Sequence, residues 1–246
     1  MPLLQRLATF YFPTFGAINL GYQFMKGIWW KALGIILVLY AIVGGLLMPV
    51  PAMPILNETI RNTYYHIPMW FAMMILMTAS LVTSIQYLSS GNLQKDNIAS
   101  EAINVSLLMG FLGLFTGMLW ANFTWGSPWT NDVKLNGTAV AILIYVAYII
   151  LRGSLQDEHR RAKVSAVYNI FAYVMMMLFI NVIPRMSGTD SLHPGNGGNP
   201  AFGEYDMNNS MRMVFYPAII GWTLVGTWML SLKLRINKIE NKLIYD

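Results

Sequence analysis

Two of the three histidines in this sequence are candidates for binding one metal ion together. His66 and His193 fall in segments that the charge distribution, described below, assigns to the same outer side of a membrane, whereas His159 lies in the charged run D-E-H-R-R. Neutral imidazole is a good ligand for iron, copper and zinc, so two histidines on separate elements can hold a metal from opposite sides. Taken singly, each is more simply read as an ordinary interfacial residue, and His159 as a solvated one.

The densest aromatic cluster lies between these two histidines, in the stretch L-W-A-N-F-T-W-G-S-P-W-T-N-D-V-K-L. An aromatic belt at the lipid headgroups is one reading of it. Gly126 and Pro128 favour another, in which a fixed turn sets the indoles as a platform for a flat hydrophobic ring system. Asp132 would fix this platform by accepting indole or backbone N–H bonds, and Lys134 would pair with an anionic substituent. The cluster consists of Trp120, Phe123, Trp125 and Trp129.

Arg61 is the only basic residue in the first outer loop and lies five residues before His66. It is either an interfacial residue whose charged end reaches the headgroups or a planar fork for a carboxylate. Two imidazoles, a tryptophan platform, Arg61 and Lys134 together describe a receptor for a planar, amphiphilic, metal-bearing dianion. Haem fits this description.

Two rival readings remain open. Met69, Met73 and Met77 repeat at helical spacing, and thioethers bind Cu(I), although such a stripe more often fills a core. An intramembrane electron carrier would hold haem between histidines on spanning helices. His193 lies instead in S-L-H-P-G-N-G-G-N-P, a loop composition, which predicts a site at the surface.

The composition defines the elements that must position these residues. Of 246 residues, 56% are hydrophobic and only 11% are charged, with a mean hydropathy of +0.49, whereas about a quarter of the residues in soluble proteins are charged. These values predict a membrane protein. A net charge of +5 that is spread over apolar runs does not form the basic patch that nucleic-acid binding requires. The absence of cysteine excludes disulfides, thiolate metal sites and covalent haem attachment to this chain. The acids of the outer loops form no spaced dyad, so we expect no enzyme.

Windows without Asp, Glu, Lys or Arg predict an all-α polytopic bundle of six transmembrane helices, because a charge at the bilayer centre is costly. They are 32–50, 67–88, 102–119, 137–151, 164–183 and 213–232. Twelve of the 16 basic residues fall on the side that holds both termini, which are therefore expected to be cytoplasmic. We read 1–246 as a single integral membrane domain, with 1–31 as an uncleaved cytoplasmic interfacial segment and 51–66, 120–136 and 184–212 as the outer loops that form the haem site.

The quoted residues resemble the haem-handling membrane proteins of cytochrome c biogenesis, and among them the cytochrome c maturation protein C family, also called haem exporter protein C. The similarity covers most of the chain from the second span onward. The run H-I-P-M-W at His66, with Arg61 upstream, resembles the first axial-ligand motif of the family, and N-V-I-P-R to S-L-H resembles the second and ends at His193. The tryptophan-rich stretch matches that of the family at Thr116, Gly117, Trp120, Ala121, Trp125, Gly126, Trp129, Asp132 and Leu135.

The resemblance implies that haem b is a transient cargo, held by His66 and His193 at the outer face of the bacterial cytoplasmic (inner) membrane. A membrane-anchored haem chaperone would receive it for transfer to apocytochrome c. The implied partners also include a small single-span subunit, an ATP-driven export complex and membrane lipid, but no nucleic acid. A related synthase branch, in which the same domain attaches haem to the cytochrome, is the alternative. Asn131 and Lys134 replace the Trp and Arg of the family, so one platform wall is missing or supplied elsewhere and a bidentate clamp becomes a point charge.

Overall fold

The computed structural model describes residues 27–53, 55–186, 191–193 and 207–245, and these residues form helices and connecting segments without a strand. Within these described ranges, six helices are long and apolar enough to cross a membrane, which confirms the predicted polytopic helical bundle. A 3₁₀ helix, Asn57–Asn62, leads into α2, and a π-helical turn, Leu178–Val182, and a 3₁₀ turn, Ile183–Arg185, follow α5. The helices are α1 Trp29–Leu47, α2 Thr63–Ser90, α3 Leu93–Trp125, α4 Val133–Ser154, α5 Glu158–Met177 and α6 Asn209–Tyr245.

The helices extend beyond the charge-free windows, so the segments 51–66 and 120–136 are not the plain loops that the sequence predicted. Helix α3 begins after Asn92, whose side chain accepts a hydrogen bond from the Gln94 N–H at 2.9 Å, and it continues to Trp125. It ends where Gly126 adopts a φ of +77°, which favours glycine. Charge-free windows mark only the part of a helix that lies in hydrocarbon, whereas caps set its ends. Trp120 and Trp125 are therefore helical.

Part of the predicted architecture lies outside the described residues. Residues 1–26 of the interfacial segment 1–31 are among these, and α1 already begins at Trp29. Of the outer loop 184–212, the structure describes 184–186, 191–193 and 207–212. The cytoplasmic placement of both termini stays a prediction.

Helix α2 is the central helix of the bundle and packs against α3, α5 and α6. The main core lies among α2, α3, α4 and α5, and the thioethers of Met73 and Met77 are fully buried in it. Met69 is also buried, at 7% exposure. The methionine stripe of α2 thus fills the core, as a pliable side chain does in irregular helix interfaces.

Glycines allow α1 and α6 to pack closely. A Cβ on Gly34 would lie 3.1 Å from the Cβ of Leu224, and one on Gly221 would lie 3.0 Å from the Cβ of Leu37. Small residues at such contacts let helix backbones approach each other in a membrane, where lipid competes with apolar side chains. The pair α1 and α6 forms a second core with the start of α2, around Tyr64 and Phe215.

A row of glycines on α3 also sets the register between α2 and α3. Each glycine faces one long side chain of the antiparallel helix α2, at a distance that a Cβ would close to 2.9 Å or less. Because the spacing is helical on both sides, the three contacts together fix which turn of α2 meets which turn of α3. The pairs are Gly110 with Met73, Gly113 with Trp70 and Gly117 with His66.

Candidate functional site

His66 lies near the beginning of α2 with its ring held by α3. Its Nδ1 is 2.8 Å from the carbonyl oxygen of Gly113 and 3.3 Å from Oγ1 of Thr116. A carbonyl oxygen only accepts hydrogen bonds, so Nδ1 carries the hydrogen of this imidazole. In the neutral ring Nε2 is then the nitrogen with a free lone pair.

Aromatic side chains and Gly117 enclose the His66 ring. Trp70 and Trp120 meet it edge to face, with ring centroids 6.1 and 6.0 Å away and both interplanar angles at 77°. Trp120 is itself fixed, because its Nε1 donates to Oγ1 of Thr59 at 3.1 Å. A Cβ on Gly117 would lie 2.6 Å from Cε1 of His66, so the ring fits only against glycine at this position.

His193 is held by Asp132, which lies at the beginning of α4. The Nδ1 of His193 is 3.0 Å from Oδ1 of Asp132. The other oxygen, Oδ2, accepts from the Ser191 hydroxyl at 2.8 Å and from the Leu192 N–H at 2.7 Å. Asp132 thus connects the segment 191–193 to the start of α4, 61 residues away from His193 in sequence.

Asp132 is also the N-cap of α4, since Oδ1 accepts from the N–H groups of Lys134 at 2.9 Å and Leu135 at 3.0 Å. Burial by itself would raise the pKa of Asp132, but the hydrogen bond and charge of His193, followed by the bonds from Ser191 and Leu192, bring the pKa well below its usual range. The carboxylate is therefore ionised at neutral pH and only accepts hydrogen bonds. It follows that Nδ1 of His193 donates and that Nε2 is left for another partner.

The three candidate tryptophans are not equivalent in the structure. Trp125 meets the His193 ring edge to face, at 5.1 Å between centroids and 74° between planes, much as Trp120 meets His66. Trp129 is 38% exposed and donates from Nε1 to Oδ1 of Asn136 at 3.2 Å. Of the three predicted tryptophans, the structure thus brings Trp120 to His66 and Trp125 to His193, and it leaves Trp129 at the surface beside the start of α4.

The two candidate cations also differ. Lys134 lies in the first turn of α4, two residues after Asp132, and it interacts electrostatically with Asp132, Arg185 and His66. The structure therefore gathers both histidines and Lys134 at one end of the bundle.

Arg61 is bound mainly to the end of α1. Its Nη1 donates to the carbonyl oxygens of Gly45 at 2.9 Å and Met48 at 2.6 Å, and its Nε donates to Glu58 at 2.6 Å. The last carbonyls of a helix have no partner within the helix, and a guanidinium satisfies them well. Arg61 therefore anchors the end of α1 to the segment before α2, a role that the sequence did not indicate.

Several residues of this site were missed from the sequence. Ser191 and the Leu192 N–H share the Asp132 carboxylate with His193, and Trp70 and the Gly113 carbonyl complete the surroundings of His66. The run S-L-H and the position of Trp70 one turn after His66 were local signals for two of these. The Gly113 carbonyl had no signal, because it depends on the pairing of α2 with α3.

Comparison with known proteins identifies the family of this chain. The family model described as heme exporter protein C matches residues 14–244. The chain is 32% identical over 94 residues to the cytochrome c biogenesis protein CcsA of Synechococcus sp. (strain CC9902), and 35% identical over 100 residues to that of Prochlorococcus marinus (strain MIT 9303). The alignments cover 38% and 39% of this chain and 31% of each relative, so the chain matches about a third of the length of these relatives. The protein belongs to the heme exporter protein C family, the haem-handling membrane proteins of cytochrome c biogenesis.

Proposed function

We propose that this protein binds haem b as a transient cargo at the outer face of the bacterial cytoplasmic (inner) membrane, with His66 and His193 as the axial ligands. One observation carries the proposal: each imidazole donates from Nδ1 to a fixed oxygen, the Gly113 carbonyl or the Asp132 carboxylate. Metal-binding histidines usually donate a hydrogen bond from the N–H of the ring nitrogen that does not bind the metal, which here leaves Nε2 oriented toward the metal. Two such imidazoles in a protein of a haem-handling family support iron ligation from both faces of the porphyrin.

The remaining site residues have distinct proposed roles. Trp120 and Trp125 hold the two imidazoles at fixed angles and offer apolar surface to the porphyrin, and Trp129 adds surface at the rim. Asp132 positions His193 and fixes the tautomer that leaves Nε2 for the iron. Because Asp132 also caps α4, it couples the geometry of the ligand to the beginning of that helix.

Lys134 and Arg61 are the proposed partners of the haem carboxylates. Lys134 acts as a point charge, so Lys134→Arg should be tolerated or should strengthen haem binding by adding a second donor to the same carboxylate. Arg61 already binds Glu58, whose side chain is 76% exposed. A haem carboxylate can replace this exposed carboxylate at Nε while Nη1 keeps its bonds to the end of α1. Binding at Arg61 is thus an exchange of one carboxylate for another.

We propose that the protein delivers haem and is not an enzyme. The bound haem is passed to a membrane-anchored haem chaperone and from there to apocytochrome c. The protein acts as a single integral membrane domain with a small single-span subunit and an ATP-driven export complex, in contact with lipid and without nucleic acid. Its own residues bind and orient the cargo, and the position of the site at the outer end of the helices places the cargo on the side where the chaperone would receive it.

An absorption spectrum of the protein purified in detergent from haem-replete cells tests the proposal. We expect a b-type haem spectrum that is lost or shifted in His66→Ala and in His193→Ala, because each change opens one axial position. His159→Ala, in the charged segment at the other end of the bundle, is the control and should keep the parent spectrum. A colourless protein that binds Cu(I) would instead favour copper transport.

Attachment of haem to the cytochrome is the second candidate. The region matched in the relatives is only about a third of their length. A haem-binding region shared with longer proteins can serve either activity. Haem-loaded protein incubated with apocytochrome c in the absence of chaperone distinguishes the two. Covalent haem on the cytochrome would identify a synthase component, whereas transfer that requires the chaperone supports delivery.

A further inference from the structure

A cavity lies at the end of the bundle opposite the two histidines. It is formed where the first turns of α3, the last turns of α4 and the first turn of α5 meet. The haem-binding role described above makes no use of this end. The polar residues that line the cavity are Ser100, Asn104, Tyr148, Arg152, Gln156 and Arg161.

The two arginines of this cavity differ in their partners. Arg152 forms two parallel hydrogen bonds to the buried carboxylate of Asp96, at 2.8 and 2.6 Å. This pair is electrically balanced and fixes the α4 wall. Arg161 is half-buried on the facing wall, and among the described residues no carboxylate lies within ion-pair distance of its guanidinium. Arg161 is therefore the arginine of this cavity that has no ion-pair partner among the described residues.

The other lining groups suit an anion with several oxygens. The Gln156 amide, which lines the same cavity as Arg161, can donate hydrogen bonds to such an anion. A guanidinium with neutral donors around it is typical of phosphate recognition. Apolar groups complete the wall, since Ile149, which is 42% exposed, and Leu155 border the same cavity.

We propose that this cavity binds the phosphate group of an anionic phospholipid, with Arg161 as its charged partner. The cavity lies where α4 ends and α5 begins, which is the level of the headgroups for helices that cross the bilayer. Basic pockets between transmembrane helices bind such headgroups, and Ile149 lies where an acyl chain would leave the pocket. Free phosphate has the same chemistry and is the alternative source of the ligand. This inference does not depend on the haem-binding proposal.

The test measures the thermal midpoint of the full-length protein in detergent micelles. Phosphatidylglycerol, phosphatidylcholine or, without lipid, inorganic phosphate is added to the parent, to Arg161→Gln and to Arg160→Gln. Arg160 is the matched control, because it is an exposed neighbour of equal charge outside the cavity. We expect phosphatidylglycerol to raise the midpoint of the parent and of Arg160→Gln by about 2 to 4 °C over phosphatidylcholine. Arg161→Gln should lose most of this shift.

Three results would decide otherwise. An equal shift in all variants would show unspecific attraction of the anionic lipid and overturn the site. An Arg161-dependent shift with inorganic phosphate, without a further gain from phosphatidylglycerol, would overturn the lipid as the source. If Arg161→Gln does not fold, Arg161→Lys is compared with Arg160→Lys instead. Both variants keep the positive charge, but only Arg161→Lys removes a planar guanidinium from the cavity. A full shift in Arg161→Lys would then contradict the role of the guanidinium.

Discussion

Replacing Asp132 with alanine tests whether this residue only caps α4 or also orients a haem ligand. In the structure one oxygen of Asp132 accepts from the first N–H groups of α4 and from His193, and the other accepts from Ser191 and Leu192. The substitution removes both sets of bonds at once. Because the side chain of Asp132 is only 1% exposed, water does not readily replace the lost carboxylate.

The expected cost follows from these two sets. Loss of an N-cap costs about 1 kcal/mol of unfolding free energy, and each hydrogen bond lost on the His193 side costs about 0.5 to 1.5 kcal/mol. Three bonds are lost on that side, so Asp132→Ala should destabilise the protein by about 2.5 to 5.5 kcal/mol in all. Haem affinity should fall by about 10- to 100-fold, because His193 loses the acceptor that orients it.

Asp157→Ala is the matched control. Asp157 is the N-cap of α5 and accepts from the Arg160 N–H at 2.7 Å, but it lies at the other end of the bundle. Its removal should cost about 1 kcal/mol of stability and should leave haem binding unchanged. Haem titration followed by absorbance, with thermal unfolding of the same samples, measures both quantities. If both variants bind haem like the parent, or lose it in proportion to their lost stability, Asp132 is only a helix cap and the ligand-orienting role is wrong.

Three further predictions concern the same site. Gly117→Ala should lower haem occupancy, because the new Cβ would lie 2.6 Å from the His66 ring, whereas Gly153→Ala, with no atom within 4 Å, should not; equal occupancy would show that the ring is free to move. Trp125→Phe should weaken haem retention at unchanged protein level, since a smaller ring supports His193 less well; a neutral result would favour the aromatic belt. Reporter fusions after Gly91 should behave as cytoplasmic and those after Asn57 as external; the reverse would place the haem site inside.

The six spans could be predicted from the sequence because the bilayer acts on each segment separately. A window of apolar residues without charge crosses the membrane whatever its neighbours are. The same local logic identified His66, His193 and the tryptophan stretch as candidates. It misjudged the ends of α3, because the cap residues Asn92 and Gly126, and not the hydropathy, determine where that helix begins and ends.

Arg61 shows where local reasoning stops. The residue type of Arg61 and its spacing from His66 in the sequence suggested a haem carboxylate as its partner. The bond from Arg61 to Glu58 leaves this possibility open. The carbonyls of Gly45 and Met48 entered only through the tertiary structure, because the end of α1 comes to lie beside the segment before α2. A backbone oxygen that accepts a side-chain bond leaves no trace in residue identity.

The sequence by itself determined the membrane-spanning bundle, the residue types of the site and the family to which they point. Only the tertiary structure decided which atom holds each histidine, and therefore which nitrogen is left for a metal. His66 meets the Gly113 carbonyl because glycines 110, 113 and 117 fix the register of α3 against α2. His193 meets Asp132 across 61 residues. Register and long-range pairing arise from many side chains packing at once, so no single segment encodes them.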